Sequence, residues 1–360
     1  MNTFLRLCLL IISLHTTAQD IKTYADSLRK AADIPELAYA VVSSDTIYEL
    51  KTIGYKRSDI QNNTTKAAID DYFHLGSNTK AITGLIAGYL VEKDKIKWDT
   101  KFYSLFPEMK KESNPAYTNI TLADLLSHRA KVQPYTSGEE FNLLPEFSGS
   151  KAQQRSLFVK YLLQQQPIQS NKLFDYSNGV YSAAALMLEK VSGKTWEELV
   201  DEILNQKLKL RYYIGWPNQK DLSQPWGHLI EDGNIMALPS DHPYKLNYIE
   251  PAGDISMPIT DYAQLIRLNL EGLRGKDNFL KSQTYNYLHY GLSKYAIGWA
   301  NTTDNNEQLS EHSGSAGTFF CYTLIDKKRN RAYIIIANSA TPQAQKAIFI
   351  LRDKLIEKYN

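Results

Sequence analysis

Cysteine is nearly missing: 360 residues carry two, Cys8 and Cys321. Cys8 falls in an N-terminal apolar segment that reads as cleaved. The remaining Cys321 has no partner for an internal disulfide, so the fold must rest on its core. Cys321 sits in an apolar run and reads as a small buried hydrophobe rather than a nucleophile. The seven histidines show no His-Glu-x-x-His and no paired spacing, which argues against a zinc site or any other resident cofactor. Charge of one sign is lacking too. The 41 Lys and Arg nearly balance the 39 Asp and Glu, leaving +2. The one basic cluster, Lys327-Lys328-Arg329, reads as a solvated hairpin turn, so nucleic acid is not an expected partner. No internal repeat is found.

Long apolar runs are also few. Met1 to Ala18 has one positive charge, Arg6, then an apolar core from Leu7 to Leu14, with Thr16-Thr17-Ala18 before Gln19. This is the pattern of a secretory signal peptide over 1–18. The run is too short to span a bilayer, and Cys8 lies too early to be a lipid-anchoring site. The expected product is a secreted, periplasmic protein with no membrane span after cleavage.

What is present is a set of polar motifs in a fixed order. Ser-x-x-Lys occurs at Ser27–Lys30, Ser77–Lys80 and Ser148–Lys151, and Tyr-x-Asn at Tyr117–Asn119 and Tyr176–Asn178. Any one copy alone reads as a helix cap, a solvated lysine or a surface turn. Context selects Ser77–Lys80. Gly76-Ser77 reads as a turn, and Ala81 to Val91 is apolar nearly all round, as a buried helix requires. Serine and lysine three residues apart then share one helix face. A serine hydroxyl is a weak nucleophile until a base lies within hydrogen-bond reach. Lys80 can be that base if burial or nearby cations lower its pKa. Tyr176 lies on a loop that feeds a buried helix ending at Gly193. Its phenol can relay a proton if lysine cations favour the phenolate. Asn178 can hydrogen-bond a substrate amide. Further on, His312-Ser313-Gly314-Ser315 offers a glycine-bearing strand edge to which a substrate backbone can pair.

Ser77-x-x-Lys80, Tyr176-x-Asn178 and His312-x-Gly314, in that order, resemble the serine β-lactamase and penicillin-binding-protein superfamily, in particular its class C-like branch. Leu125-Leu126-Ser127-His128, Glu250-Pro251-Ala252-Gly253 and Tyr295 to Trp299 resemble further family segments, and the likeness covers roughly residues 33–358. The resemblance implies an acyl-enzyme on Ser77, with Lys80 and Tyr176 moving protons. It implies an oxyanion hole from the N–H groups of Ser77 and Ser315, with Asn178, His312, Ser313 and Gly314 orienting the substrate. His312 could assist proton transfer. Three departures stand out. Lys-Thr-Gly occurs nowhere, Arg129-Ala130-Lys131 replaces the common Thr-Ser-Gly, and Asp254 replaces a glycine. His-Ser-Gly tips the reading toward a D-amino-acid peptidase or esterase acting on a small-molecule or peptide substrate. A dedicated class C-type β-lactamase, or an inactive homologue that binds peptidoglycan or a partner, remains open.

The expected fold is α/β of the α+β type. An antiparallel sheet from both chain ends (19–75 and 250–360) is flanked by terminal helices, with a mainly helical lobe (76–249) inserted. The pattern predicts strands over 37–42, 46–55, 295–301, 319–326 and 331–338, and helices over 20–32, 261–271 and 342–359. It predicts an irregular stretch over 218–247. The site is expected at the seam between the two parts.

Overall fold

The computed structural model describes residues 20–303 and 307–360. The segment read as a signal peptide lies outside the described residues. The strands in chain order are β1 (Glu36–Val42), β2 (Ile47–Gly54), β3 (Tyr72–His74), β4 (Tyr213–Ile214), β5 (His228–Glu231), β6 (Asn234–Ala237), β7 (Ile255–Pro258), β8 (Ala300–Thr302), β9 (Leu309–Ser315), β10 (Phe320–Asp326) and β11 (Arg331–Ala337). Strands from the two chain ends form one antiparallel sheet in the order β2-β1-β11-β10-β9-β8.

Alternation along these strands builds two cores. Leu37, Tyr39 and Val41 of β1 face the terminal helices Ile21–Ala31 and Pro342–Tyr359. Ala38, Ala40 and Val42, pointing the other way, join the large interior core. The small residues on that inner face let the helix Ile259–Leu273 lie close against β1 and β11. With helices on both faces, β1 and β10 are buried along their whole length, which is why they read as unbroken apolar runs.

The middle of the chain is mainly helical, around the buried helices Thr79–Glu92 and Gly179–Ser192. The second stops where Gly193 adopts φ +71. No helix among the described residues is long and apolar enough to cross a membrane.

Three expectations need correction, and one small sheet was not expected. The strand expected over 295–301 is confined to β8, because Gly298 turns back at φ +79 and Ala296 N–H bonds Trp299 C=O. The stretch 218–247 is not all irregular: β5 and β6 pair about Asp232-Gly233, both at positive φ, a two-residue hairpin turn. A small second sheet, β3-β7-β4, was not legible, since β4 has two residues and β3 three. Tyr117 is not a surface residue; its ring is 1% exposed and lies in the interior core.

Candidate active site

Ser77 opens its helix from a tight 3₁₀ turn, Gly76–Asn78, and is half-buried. Two glycines make this turn possible. Gly76 holds φ +52, and a Cβ there would sit 2.4 Å from Ser315 N. Gly314 on β9 faces it, and a Cβ at Gly314 would sit 2.1 Å from Leu75 O and 2.6 Å from Ser77 N. Only bare backbone on both sides allows the Ser77 turn and the β9 edge to meet. The two N–H groups named for an oxyanion hole thus come from segments in direct contact.

The residues after Ser77 are polar and buried, and each is bonded outside its own turn. Asn78 Nδ2 donates to Cys321 O on β10 and its Oδ1 accepts from Tyr262 Oη. Thr79 Oγ1 accepts from Ile255 N on β7, and Thr83 Oγ1 donates to Pro251 O. These bonds tie the start of the helix to both sheets.

Lys80 is fully buried. Its Nζ lies 2.7 Å from Asn178 Oδ1, 2.9 Å from Ala252 O and 3.0 Å from Ser77 Oγ. All three partners are neutral, and burial holds its pKa well below the usual lysine value. The geometry fits a neutral amine. Asn178 Oδ1 and Ala252 O can only accept, so they take the two N–H groups of the amine. The Ser77 hydroxyl is the one partner able to donate, so in the neutral amine the remaining lone pair would face it. Asn178 is held in this orientation by its Nδ2–H bond to Tyr135 O at 2.8 Å.

Tyr176 lies beside Ser77, with its ring centroid 4.8 Å from Lys80 Nζ. Burial pushes its phenol above the usual tyrosine value, and the Ser77 hydroxyl bonded to it offsets only part of that. The expectation that lysine cations favour the phenolate is therefore reversed. Burial disfavours the charged form of both groups, lowering the lysine and raising the phenol. His312, 6% exposed, hydrogen-bonds Ser313 O through Nδ1 (2.8 Å) and Tyr295 Oη through Nε2 (2.9 Å). The carbonyl requires a proton on Nδ1, so Tyr295 donates to Nε2. Burial lowers His312 to about 3, which leaves it a neutral, positioned ring.

His74 and Arg155 were not picked out in the sequence, and His128, Arg129, Lys131 and Asp254 were named there without a role. His128 packs 4.3 Å from the Tyr176 ring and 4.6 Å from Tyr295; its Nδ1 accepts from Ser177 N, and its buried Nε2 has no hydrogen-bond partner. Arg129 donates to Tyr295 O at 2.7 Å and Ser293 O at 2.8 Å. Lys131 pairs with Asp175 at 2.6 Å. The two cations that depart from the family pattern thus hold the Tyr295 and Tyr176 loops. The third departure also has a role. Asp254 Oδ1 lies 3.1 Å from His74 Nε2, and His74 Nδ1 accepts from Gly76 N at 3.2 Å. The acid fixes the ring so that it steadies the Ser77 turn. Buried Arg155 pairs with Glu189 and Glu197 and lies 3.9 Å from Glu250. Burial raises Glu250 to about 7, and its segment carries the Ala252 carbonyl that holds Lys80.

The eight residues expected at the site meet here. Ser77, Tyr176, His312 and Ser313 line a cavity of about 570 Å³. Asn178 and Ser315 line a neighbouring one of about 890 Å³, while Lys80 and Gly314 are buried and line neither. The other motif copies are elsewhere. Ser27 bonds back to Thr23 O and Lys30 pairs with Asp26 in the first helix, and Lys151 is a solvated helix-start residue. No group of acids, histidines or cysteines able to hold a metal ion occurs among the described residues.

The family described as Beta-lactamase matches residues 21–355. Protein flp of Staphylococcus aureus (strain NCTC 8325 / PS 47) is 21% identical over 347 residues, covering 94% of this chain and 66% of that protein. The unguisins hydrolase ungD' of Aspergillus campestris is 27% identical over 323 residues, covering 82% of this chain and 57% of that protein. The chain therefore spans under two thirds of the length of these relatives. Two solved structures are similar in fold. The octameric penicillin-binding protein homologue from Pyrococcus abyssi has TM-score 0.75 at 17% identity, covering 93% of this chain and 76% of its own. A class C beta lactamase from Rhodobacter sphaeroides has TM-score 0.74 at 16% identity, covering 93% and 99%.

Proposed function

This chain belongs to the β-lactamase family, and from that premise we propose that it is a serine hydrolase working through an acyl-enzyme on Ser77. The observation that carries the reading is the placement of Lys80, whose Nζ is held by Asn178 Oδ1 and Ala252 O and lies 3.0 Å from Ser77 Oγ. Ser77 Oγ attacks the substrate carbonyl carbon as its proton passes to Lys80 Nζ. The N–H groups of Ser77 and Ser315 hold the oxyanion. Tyr176, kept protonated by burial, hands its proton to the leaving group and is recharged from Lys80. Water, activated in the reverse sense by the same pair, then releases the acyl group. Asn178 has one amide hydrogen left for the substrate, and His312 with Ser313 and Gly314 shapes the strand edge it lies along.

The substrate we favour is a D-amino-acid peptide or a related ester, acted on after export to the periplasm. The support is the third motif: where Lys-Thr-Gly would bring a cation, His312 is neutral. The test is steady-state turnover of D-alanyl peptides, simple esters and a penicillin by wild type and Ser77→Ala. Ser77-dependent turnover of the peptides or esters above the penicillin is expected. Turnover of the penicillin alone would make it a dedicated β-lactamase. No Ser77-dependent turnover of any would leave an inactive binding homologue.

A further inference from the structure

Two cavities flank the site, one lined by Ser77 and Tyr176 and the other by Asn178 and Ser315, and the catalytic groups say which half of the substrate each receives. Tyr176, the proton donor to the leaving group, lines the smaller cavity and not the larger. Asn178 and Ser315, which face the acyl amide and the oxyanion, line the larger and not the smaller. The leaving group therefore departs into the smaller cavity and the acyl group extends into the larger.

The smaller cavity carries a charged pair among aromatic side chains. Glu311 and Arg352 stand in its wall, linked through Tyr322, whose hydroxyl donates to Glu311. The larger is a groove of about 890 Å³ between the loops 135–147 and 242–249. Its walls carry Tyr135, Phe141, Leu144, Tyr244, Leu246 and Tyr248. Its charged lining residues Glu146 and Lys245 are exposed to solvent. The aromatic walls are braced from behind. Tyr135 meets Phe158 edge-on at 5.2 Å, Tyr248 stacks on the same ring at 5.7 Å, and Tyr244 rests against Trp216 at 5.4 Å. A groove of this size, formed before a ligand arrives, binds through apolar area removed from water. An acetyl or alanyl group would leave most of it unfilled.

We propose that the acyl half of the substrate is a bulky, uncharged aromatic or branched apolar group, held between these two loops. This deepens the serine-hydrolase reading and rests on it. The experiment compares acetyl and phenylacetyl thioesters of mercaptoacetate, which share one small anionic leaving group, by counting released thiol. The phenylacetyl thioester is expected to have the higher kcat/KM by at least about tenfold. Leu144→Asp and, independently, Tyr244→Ala are expected to shrink that ratio, which does not depend on how much of a variant folds. Equal rates, or a preference for acetyl, with Ser77-dependent turnover intact would overturn the inference and leave the acyl-enzyme reading standing. Turnover of neither thioester, or turnover unchanged in Ser77→Ala, would overturn the nucleophile assignment and this inference with it.

Discussion

Lys80 sits where holding a charge is costly, and that makes it useful. Its replacement by arginine, which keeps its proton at any working pH, should lower kcat by about 100- to 10,000-fold. The sign of the pH dependence follows. Burial lowers Lys80 and raises Tyr176, so kcat/KM should be flat near neutrality. It should fall on the acid side as Lys80 gains a proton, and on the alkaline side only beyond the usual tyrosine value. A pH–rate profile still climbing past pH 10 would mean that Lys80 rests as an ammonium. Gly314→Ala pushes a methyl group into Leu75 O and Ser77 N and should cost about 100-fold or more in kcat. Ser77, Lys80, Tyr176 and Asn178 were legible in the sequence because each pair is fixed by local spacing. The roles of Tyr295, His74 and Asp254 were not. These residues reach the site across 17 and 180 residues of chain, and no local pattern marks such a meeting.

At the scale of elements, the turn 128–131 links two loops that carry tyrosines. His128 and Lys131 both hold positive φ, and Lys131 reaches Asp175 next to Tyr176. Lys131→Met should loosen the Tyr176 loop and reduce kcat by up to about 100-fold with little change in KM, as steady-state assays would show. A change in KM alone would place Lys131 in substrate binding instead. The sequence marked Arg129 and Lys131 as departures, but their function needed the loops they hold. The long elements were readable because burial imposes a period: Pro342–Tyr359 was read to the residue, and β10 and β11 to within one. The short ones failed for the opposite reason. A strand of two or three residues, such as β3, β4 or β8, has no period to read. The hairpin of β5 and β6 did carry a signal, Asp232-Gly233, hidden among neighbouring prolines and tryptophans.

Across the whole molecule, the sheet from the two chain ends and the helical middle meet at Ser77, and the joint is made of buried polar groups. Such groups tie stability to pH. His289 is buried between Ser310 Oγ (2.7 Å) and Asn269 Oδ1 (3.1 Å), stacked on Trp299, and lowered to about 3 by burial. A group whose folded pKa is depressed contributes stability that is present above its unfolded value and lost as pH falls toward the folded one. Between pH 7 and pH 5, His289 should account for about 2 kcal/mol of lost stability. Urea unfolding of His289→Gln should show a pH dependence smaller by that amount, and an unchanged slope would show that His289 is not neutral in the fold.

The most direct test of the central claim is the intact mass of the protein, quenched soon after mixing with an activated acetyl ester, with the modified peptide located. One acetyl group on the peptide bearing Ser77, missing in Ser77→Ala and strongly reduced in Lys80→Arg, is the predicted result. An acetyl group on another residue, or one that forms equally in Ser77→Ala, would contradict it.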